Sequence, residues 1–399
     1  MRVPPRWVRR VLLAPGVVLA ALVSTVTLPV WFAVSTLLSL VRPGVLRIPR
    51  LLWVITFYLL WDSAAVISLF GLWVASGFGW RIRGPRMQRA HFALSGWLTR
   101  SLYRQARWSL RLRVRIQGDD LGVAPGHPLI VVSRHAGPGD SMILVHALIN
   151  WYDREPRVVL KDTLQWDPGI DIMLNRLPSR FIAPSPFAAA GDRYPGLSEQ
   201  VGQLARGLDG DGALLLFPEG GNFTAARRLV RIERLRGAGL HAMARRAEAM
   251  RNVMAPAPGG LLAALDAAPD ACVLFVAHTG LEHLPTVGQL WRELPMDRRI
   301  VLRGWLVQSP EVPAGRTERI EWLFAWWERI DAWVGQAAAD AGAAPAPVPE
   351  AAPAPVPEAA PAPVPEAELG VPVRTEAAAS DGVAAPAGGR RWSARTPTA

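Results

Sequence analysis

The chain has 399 residues, half of them hydrophobic and 19% charged, which excludes general intrinsic disorder. Its single cysteine, Cys272, excludes an internal disulfide framework and a cysteine-rich zinc module. The net charge of +11 comes from a chain whose only lysine is Lys161; this arginine bias weakens the case for a polyanion partner, and the charge equally suits an anionic membrane surface.

Two apolar runs begin the chain. No charged side chain occurs in residues 11–41, and the second run, 51–80, is interrupted only by Asp62. Each run has about 30 residues, which exceeds the roughly 20 that a helix needs to cross a bilayer. We therefore expect residues 1–80 to form an N-terminal membrane region, a hydrophobic helical hairpin. A cleaved signal peptide and two buried helices of a soluble core are the alternatives.

Arginines flank both outer ends of this region. The positive-inside rule then places the bulk of the protein in the cytoplasm, at the cell membrane. However, the connector between the runs carries Arg42, Arg47 and Arg50, which a translocated loop should avoid. A hairpin that dips into the cytoplasmic leaflet is therefore an alternative to two crossings.

Residues 81–117 are strongly basic. Apolar positions in 87–108 follow helical spacing with arginines between them, which predicts a basic amphipathic helix at the membrane surface. Residues 110–116 alternate leucine, valine or isoleucine with arginine. This pattern predicts a half-buried strand with a basic outer face.

Strand and helix patterns alternate through 118–335, which predicts an α/β domain. The expected strands are 128–133, 157–160, 213–217, 272–277 and 300–307. The expected helices are 141–150, 198–207, 225–250 and 319–334. Trp322, Trp326 and Trp333 on the last helix suit either a headgroup layer or the core.

A repeated octad, Pro-Ala-Pro-Val-Pro-Glu-Ala-Ala, begins at Pro345. A segment of this composition buries little apolar surface and favours extended, polyproline-type conformations. We therefore expect residues 336–399 to form a disordered tail rich in proline and alanine.

The predicted strand 128–133 leads into Ser-Arg-His-Ala-Gly-Pro-Gly-Asp. A histidine at the end of a buried strand, in a Gly-Pro loop, is a candidate general base. Asp140, five residues after His135, can accept the other imidazole N–H, fix the tautomer and stabilise the imidazolium. The alternative is that Asp140 caps a helix and His135 is an ordinary loop residue.

A second strand, 213–217, leads into Phe-Pro-Glu-Gly-Gly-Asn. It places the carboxylate of Glu219 and the backbone N–H groups around Gly220 at one strand end. Such amides suit an oxyanion, and the acid suits a substrate hydroxyl. The alternative is a plain strand-to-helix turn. Cys272 lies within an apolar strand and is expected to pack there.

The two motifs together resemble the glycerolipid acyltransferase family, the 1-acylglycerol-3-phosphate acyltransferases and their relatives. Segments 161–182 and 273–280 look like that family's second and final blocks, so the resemblance covers roughly 110–310. It implies an α/β fold, a mixed central sheet flanked by helices, preceded by the hydrophobic hairpin. The insertion after Thr224 is similar to the subgroup with lysocardiolipin-type and endoplasmic-reticulum-type enzymes.

The resemblance also implies a reaction. His135 would take the proton of an acceptor hydroxyl, which attacks the thioester of acyl-CoA or acyl-carrier protein, and Asp140 would support His135. Glu219 would hydrogen-bond the acceptor, and backbone amides near Gly220 would stabilise the oxyanion. Neither a metal nor a cofactor is implied. The expected partners are membrane phospholipids, the acyl donor and a lysophospholipid, with 1-acyl-sn-glycerol-3-phosphate as the first choice of acceptor.

Two positions depart from the family pattern. Asn222 and Pro184 stand where the family has arginines thought to hold the acceptor's phosphate. Four arginines close in sequence are candidate substrate-binding replacements: Arg176, Arg180, Arg227 and Arg228. Without such replacement, the acceptor would be a different lysolipid or glycolipid.

Two other classes of function are alternatives. A catalytically inert membrane adaptor could act through the proline-rich tail, although the intact His135, Asp140 and Glu219 argue against it. A lipid-ester hydrolase could use the same His-Asp pair, but the chain has no Gly-x-Ser-x-Gly elbow. No recognised nucleic-acid motif accompanies the arginines.

Overall fold

The computed structural model describes residues 3–41, 47–118, 126–137, 139–182, 196–280 and 299–340. Pro184 and the predicted tail beyond residue 340 lie outside the described residues.

Two long antiparallel helices begin the chain. The first starts as α1 (Arg6–Val8), passes through a π-helical turn (Arg9–Leu13) and continues as α2 (Ala14–Val41). The second is α3 (Arg47–Ala75). Both are long and apolar enough to cross a membrane by length and composition, and most of their apolar surface is unburied. They therefore suit membrane association.

Helix α3 also packs against the rest of the protein. It runs antiparallel to α4 (Pro85–Leu110), which corresponds to the predicted amphipathic helix. The indole Nε1 of Trp61 donates to the Leu98 carbonyl at 2.9 Å, and Trp53 meets Trp108 edge to face at 6.1 Å. The hairpin is thus attached along much of α3, while all ten arginines from 81 to 115 are exposed.

Seven strands form one sheet in the order β1-β7-β6-β2-β5-β3-β4. Strands β1 and β7 are parallel to each other and run opposite to the other five. This mixed sheet confirms the predicted fold class. The strands are β1 (Arg113–Gly118), β2 (Leu129–Ser133), β3 (Glu155–Lys161), β4 (Ser179–Ile182), β5 (Gly212–Leu216), β6 (Cys272–Thr279) and β7 (Arg299–Val307).

Helices cover both faces of the sheet, so its central strands are apolar on both sides. In β2, Leu129 and Val131 face α4 and α5 (Asp140–Asn150). Ile130 and Val132 face the opposite way. That second face is covered by α7 (Leu197–Ala205), α10 (Pro258–Ala267) and α11 (Arg316–Asp340).

The remaining helices follow strands β3 and β5 in the chain. The short α6 (Pro168–Leu174) follows a 3-10 turn (Asp162–Trp166) and packs against α3. The predicted helix 225–250 is two helices, α8 (Ala225–Gly237) and α9 (His241–Ala249). They are separated at Gly239, whose φ of 74° is left-handed and ends helical propagation.

The tryptophans of α11 pack in the core. Trp327 is fully buried, Trp333 is 7% exposed, and Trp326 stacks on Phe275 with ring centroids 4.6 Å apart. The core interpretation is therefore the one that applies to this helix. It also continues to Asp340, past the predicted domain boundary at residue 335.

Candidate active site

The two sequence motifs meet at one edge of the sheet. Strands β2 and β5 are parallel neighbours, with Val132 paired to Leu216, so their carboxyl ends lie side by side. His135 follows β2, and its ring lies 4.7 Å from that of Phe217, which follows β5. The backbone N–H of Phe223 donates to the His135 carbonyl at 2.7 Å. The two loops thus form one unit.

His135 and Asp140 form a hydrogen-bonded pair. The His135 Nδ1 lies 2.8 Å from Asp140 Oδ2. The imidazole is 17% exposed and lines the large cavity beside it. Because Nδ1 is engaged by the carboxylate, Nε2 is the nitrogen left to exchange a proton with a substrate.

Asp140 is held as an anion by its loop. It is 2% exposed, and its Oδ2 accepts hydrogen bonds from the backbone N–H groups of Ala136 and Gly137 at 2.9 and 3.3 Å. Burial alone would raise the pKa of Asp140, but the hydrogen bonds and charges of His135 and His278 outweigh it and hold that pKa well below its usual range.

His278 is a second imidazole at this carboxylate, and sequence reasoning gave it no role. It lies at the end of β6 and is fully buried. Its Nε2 is 3.1 Å from the Arg134 carbonyl and 3.5 Å from Asp140 Oδ2. Because a carbonyl oxygen only accepts, Nε2 carries the proton. The signal available in sequence was a histidine ending an apolar strand.

Glu219 lies behind the histidine and not among the described residues that line the cavity. It is 4% exposed, accepts a hydrogen bond from the backbone N–H of His135, and accepts another from Trp327 Nε1 at 3.3 Å. Burial raises the pKa of Glu219 to about 8, against the attraction of nearby Arg134. In this position Glu219 supports the His135 backbone.

Gly220 and Gly221 do line the cavity. The N–H of Gly220 donates to the Phe217 carbonyl at 3.1 Å within the turn, and its φ is 69°. The left-handed backbone suits glycine there. Gly221 is the next amide along this wall, and a Cβ on it would lie 3.3 Å from Arg227 Nη1.

The four candidate arginines are separated by the fold. Arg227 lies at the glycine turn and donates to the Asn222 carbonyl at 3.1 Å. Arg180 is exposed on β4, and its strand neighbour Ile182 lines the cavity. Arg228 instead binds carbonyls at the end of α9, including Glu248 at 2.7 Å. Arg176 binds the Leu69 carbonyl at 2.7 Å on α3.

The cavity beside His135 has a volume of about 920 Å³, within the usual range for small-molecule sites. Aliphatic and aromatic side chains dominate its wall, and Ser95, Thr99 and Lys161 are among the polar exceptions. Such a site can hold an alkyl chain with its reactive end at the histidine. Sequence reasoning missed its α3, α4 and α6 wall, because these segments are distant in the chain.

Within the described ranges, no group of three or more His, Cys, Asp or Glu side chains could hold a metal ion. That the reaction needs no metal or cofactor stays a prediction. Cys272 is buried in β6, and its Sγ lies 3.2 Å from Gln308 Oε1, a packing position away from the histidine.

A histidine-carboxylate pair at the strand ends of a mixed α/β sheet is the arrangement that the resemblance implies for an acyl-transfer domain. Residues 113–267 match the family model described as Acyltransferase. This match bears out the resemblance over residues 113–267, and that segment is an acyltransferase domain.

Among solved structures, the chain is similar to the 1-acyl-sn-glycerophosphate (LPA) acyltransferase PlsC from Thermotoga maritima. The identity is 15% and the TM-score 0.40, over 72% of this chain and 96% of that chain. Comparison with curated proteins finds no significant match.

Proposed function

We propose that the protein is a membrane-bound O-acyltransferase. It moves a fatty acyl group from acyl-CoA or acyl-carrier protein to a lysophospholipid hydroxyl. The first candidate for this acceptor is 1-acyl-sn-glycerol-3-phosphate. The observation that carries this proposal is the His135–Asp140 pair, 2.8 Å apart, in the wall of an apolar cavity of about 920 Å³.

The reaction proceeds by general-base catalysis. His135 Nε2 accepts the acceptor's hydroxyl proton as that oxygen attacks the thioester carbonyl. The resulting imidazolium is stabilised by Asp140, whose lowered pKa keeps it charged. Collapse of the tetrahedral intermediate breaks the carbon–sulfur bond, and the leaving thiolate takes the proton from His135. The ester and the free thiol are the products.

The glycine turn supplies the backbone N–H that stabilises the negative charge on the thioester oxygen. Since the Gly220 N–H is engaged by Phe217, the amide of Gly221 is the proposed oxyanion donor. Arg227, beside the same turn, is the proposed phosphate ligand in place of the family's arginine. Glu219 acts indirectly, through the backbone N–H of His135.

The hairpin and the basic helix support attachment to one leaflet. Helix α2 exposes large apolar side chains such as Leu22, Val26 and Phe32, whereas α3 is bonded to α4 and α6. A helix paired with an arginine-rich helix is a poor candidate to cross a bilayer by itself. We therefore propose that the hairpin enters the cytoplasmic leaflet and that the exposed arginines meet anionic headgroups.

A different lysolipid or glycolipid acceptor is the second candidate. Arg176 and Arg228 bind backbone carbonyls away from the cavity wall, and Asn222 holds one of the family's arginine positions. Of the four candidate arginines, Arg227 is the one beside the turn, so an acceptor without a phosphate monoester fits the site as well.

The test is a transfer assay with the purified full-length protein in nanodiscs. It supplies labelled acyl-CoA and a panel of lysophospholipids and lysoglycolipids, with the His135→Ala protein in parallel. We expect one diacyl product that depends on His135, identified by mass spectrometry. Release of free fatty acid without transfer would identify a hydrolase instead. If the wild-type protein forms no product at all, the catalytically inert adaptor is favoured.

A further inference from the structure

The cavity beside His135 reaches both faces of the sheet. From β5 it is lined by Leu215 of one face and Leu216 of the other, and from β3 by Val158 and Val159 in the same way. Successive side chains of a strand point to opposite faces. One cavity can touch both members of such a pair only by passing around the edge of the sheet, so it has two arms.

The first arm lies between the sheet and the helices on the hairpin side. We call it the α4 arm. It is apolar and deep, because it extends along β3 as far back as Pro156. Its wall includes Trp61, Phe92, Ser95, Leu98 and Met173.

The second arm lies on the opposite face, between the sheet and helices α7 and α10. We call it the α10 arm. Its wall includes Val201, Leu216, Ala257, Gly260 and Leu261. Val201 and Leu261 are 3% and 2% exposed, so this arm also reaches into the core. A Cβ on Gly260 would meet only Val201, at 3.8 Å, which shows the room left at that position.

The polar groups of the cavity lie where strands β2 and β5 end. His135 follows β2, and Gly220 and Gly221 follow β5. The reactive centre is therefore at the sheet edge, around which both arms pass. A chain in either arm would have its polar end at the imidazole.

We propose that the two arms bind the two acyl chains of the reaction, that of the thioester donor and that already carried by the acceptor. This inference rests on the proposed acyl transfer. The donor's carbonyl and the acceptor's hydroxyl must meet at His135, and each substrate carries an apolar acyl chain. Arms on opposite faces of the sheet let both chains be buried without competing for space. The acceptor is then a lipid with a long chain of its own, not a water-soluble alcohol.

The experiment fills each arm separately in the full-length protein. Ser95→Leu occupies the α4 arm and Gly260→Leu the α10 arm. Ser101→Leu and Gly237→Leu are the matched controls, since neither residue lines the cavity and a Cβ on Gly237 meets nothing within 4 Å. Values of kcat/KM are measured for decanoyl- and stearoyl-CoA, and separately for acceptors that carry a decanoyl or a stearoyl chain.

We expect each arm variant to lose activity toward the long chain of one substrate only, and the two variants to affect different substrates. Each methylene that loses its place weakens binding about fourfold, so a loss of about tenfold or more is expected for stearoyl over decanoyl. The controls should keep the wild-type preference. If either variant fails to fold, Thr99→Leu and Gly260→Val replace them in the same arms.

The two-arm assignment is overturned if both variants discriminate against the same substrate, or if either leaves both chain preferences unchanged. These outcomes are distinct from failure of the proposed function. In that case the wild-type protein would itself form no acyl-transfer product with any lysolipid.

Discussion

At the residue scale, catalysis depends on the proton that His135 carries between acceptor and leaving thiolate. We predict that His135→Ala lowers the transfer rate by about 10² to 10⁴, the usual contribution of a positioned general base. Asp140→Asn should be comparably severe, because the imidazole loses its charge partner and its fixed tautomer. Initial rates of product formation measure both effects.

The control for these variants is His146, another buried histidine, on α5 at 2% exposure and away from the cavity wall. His146→Gln should keep the rate within a few-fold. Near-wild-type transfer by His135→Ala protein that folds normally would contradict the mechanism.

The second prediction concerns Glu219 and the pH dependence of the free energy of unfolding. With its pKa raised to about 8 by burial, the folded protein keeps Glu219 protonated while the unfolded chain ionises it above about pH 4.5. The folded state therefore loses free energy of unfolding as pH rises from about 4.5 to 8, by a few kcal/mol in all, and no more beyond.

Glu219→Gln keeps the shape of the side chain and removes its ionisable carboxyl group. We expect the variant's denaturation midpoint to fall less between pH 5 and 8 than that of the wild-type protein, and chemical denaturation at both pH values measures this. Glu199→Gln, at an exposed position of α7, is the matched control. Equal pH slopes for wild-type protein and Glu219→Gln would show that Glu219 is ionised in the fold.

At the element scale, the hairpin is joined to the catalytic domain by polar contacts at α6. The Gly169 N–H donates to Asp62 Oδ1 at 2.7 Å, and Arg9 forms a buried ion pair with Asp171. A Cβ on Gly169 would collide with Asp62 Oδ1. Asp62 therefore serves as a structural hydrogen-bond acceptor that joins α3 to α6.

We predict that Gly169→Ala destabilises the protein by about 1–3 kcal/mol, the usual cost of overpacking a core position. Gly71→Ala on α3, with nothing within 4 Å of the added Cβ, should be neutral. Thermal unfolding in detergent separates the two. An unchanged Tm for Gly169→Ala would mean that α3 and α6 are not held together as described.

The path of the hairpin through the membrane is a further element-scale prediction. Leu38, near the end of α2, is 53% exposed, and the native Cys272 is buried. If the hairpin enters one leaflet, Leu38→Cys near its tip lies within the bilayer and should resist a membrane-impermeant maleimide in intact cells and in inverted vesicles, and react only in detergent. Labelling from outside would establish two crossings.

At the scale of the whole molecule, the described fold ends with α11 at Asp340. We predict that truncation after Asp340 leaves the specific activity of the purified enzyme within about twofold, because a proline-alanine repeat buries little apolar surface. Truncation after Gly315, which removes the buried Trp327 and Ile330, is the contrasting variant and should abolish folding. If the protein truncated after Asp340 folds but is inactive, the tail has a role in catalysis.

Much of this protein was predictable from local sequence. The spacing of His135 and Asp140, the Phe-Pro-Glu-Gly turn and six strands are encoded in adjacent residues, because strand patterns and loop chemistry act over short distances. The short β4 and α6 carry too few residues for a clear period, and the break at Gly239 needed backbone geometry.

Only the tertiary structure decided what surrounds the histidine. Burial turned Glu219 from an expected acceptor ligand into support for the His135 backbone, and brought His278 to Asp140 from 138 residues away in sequence. In the folded protein Arg176 and Arg228 donate to backbone carbonyls. The tryptophans of α11 pack in the core. The sequence by itself determined which chemical groups the chain carries and the local turns that present them. Packing determined which of them face the cavity, because burial and long-range contact depend on how distant segments meet.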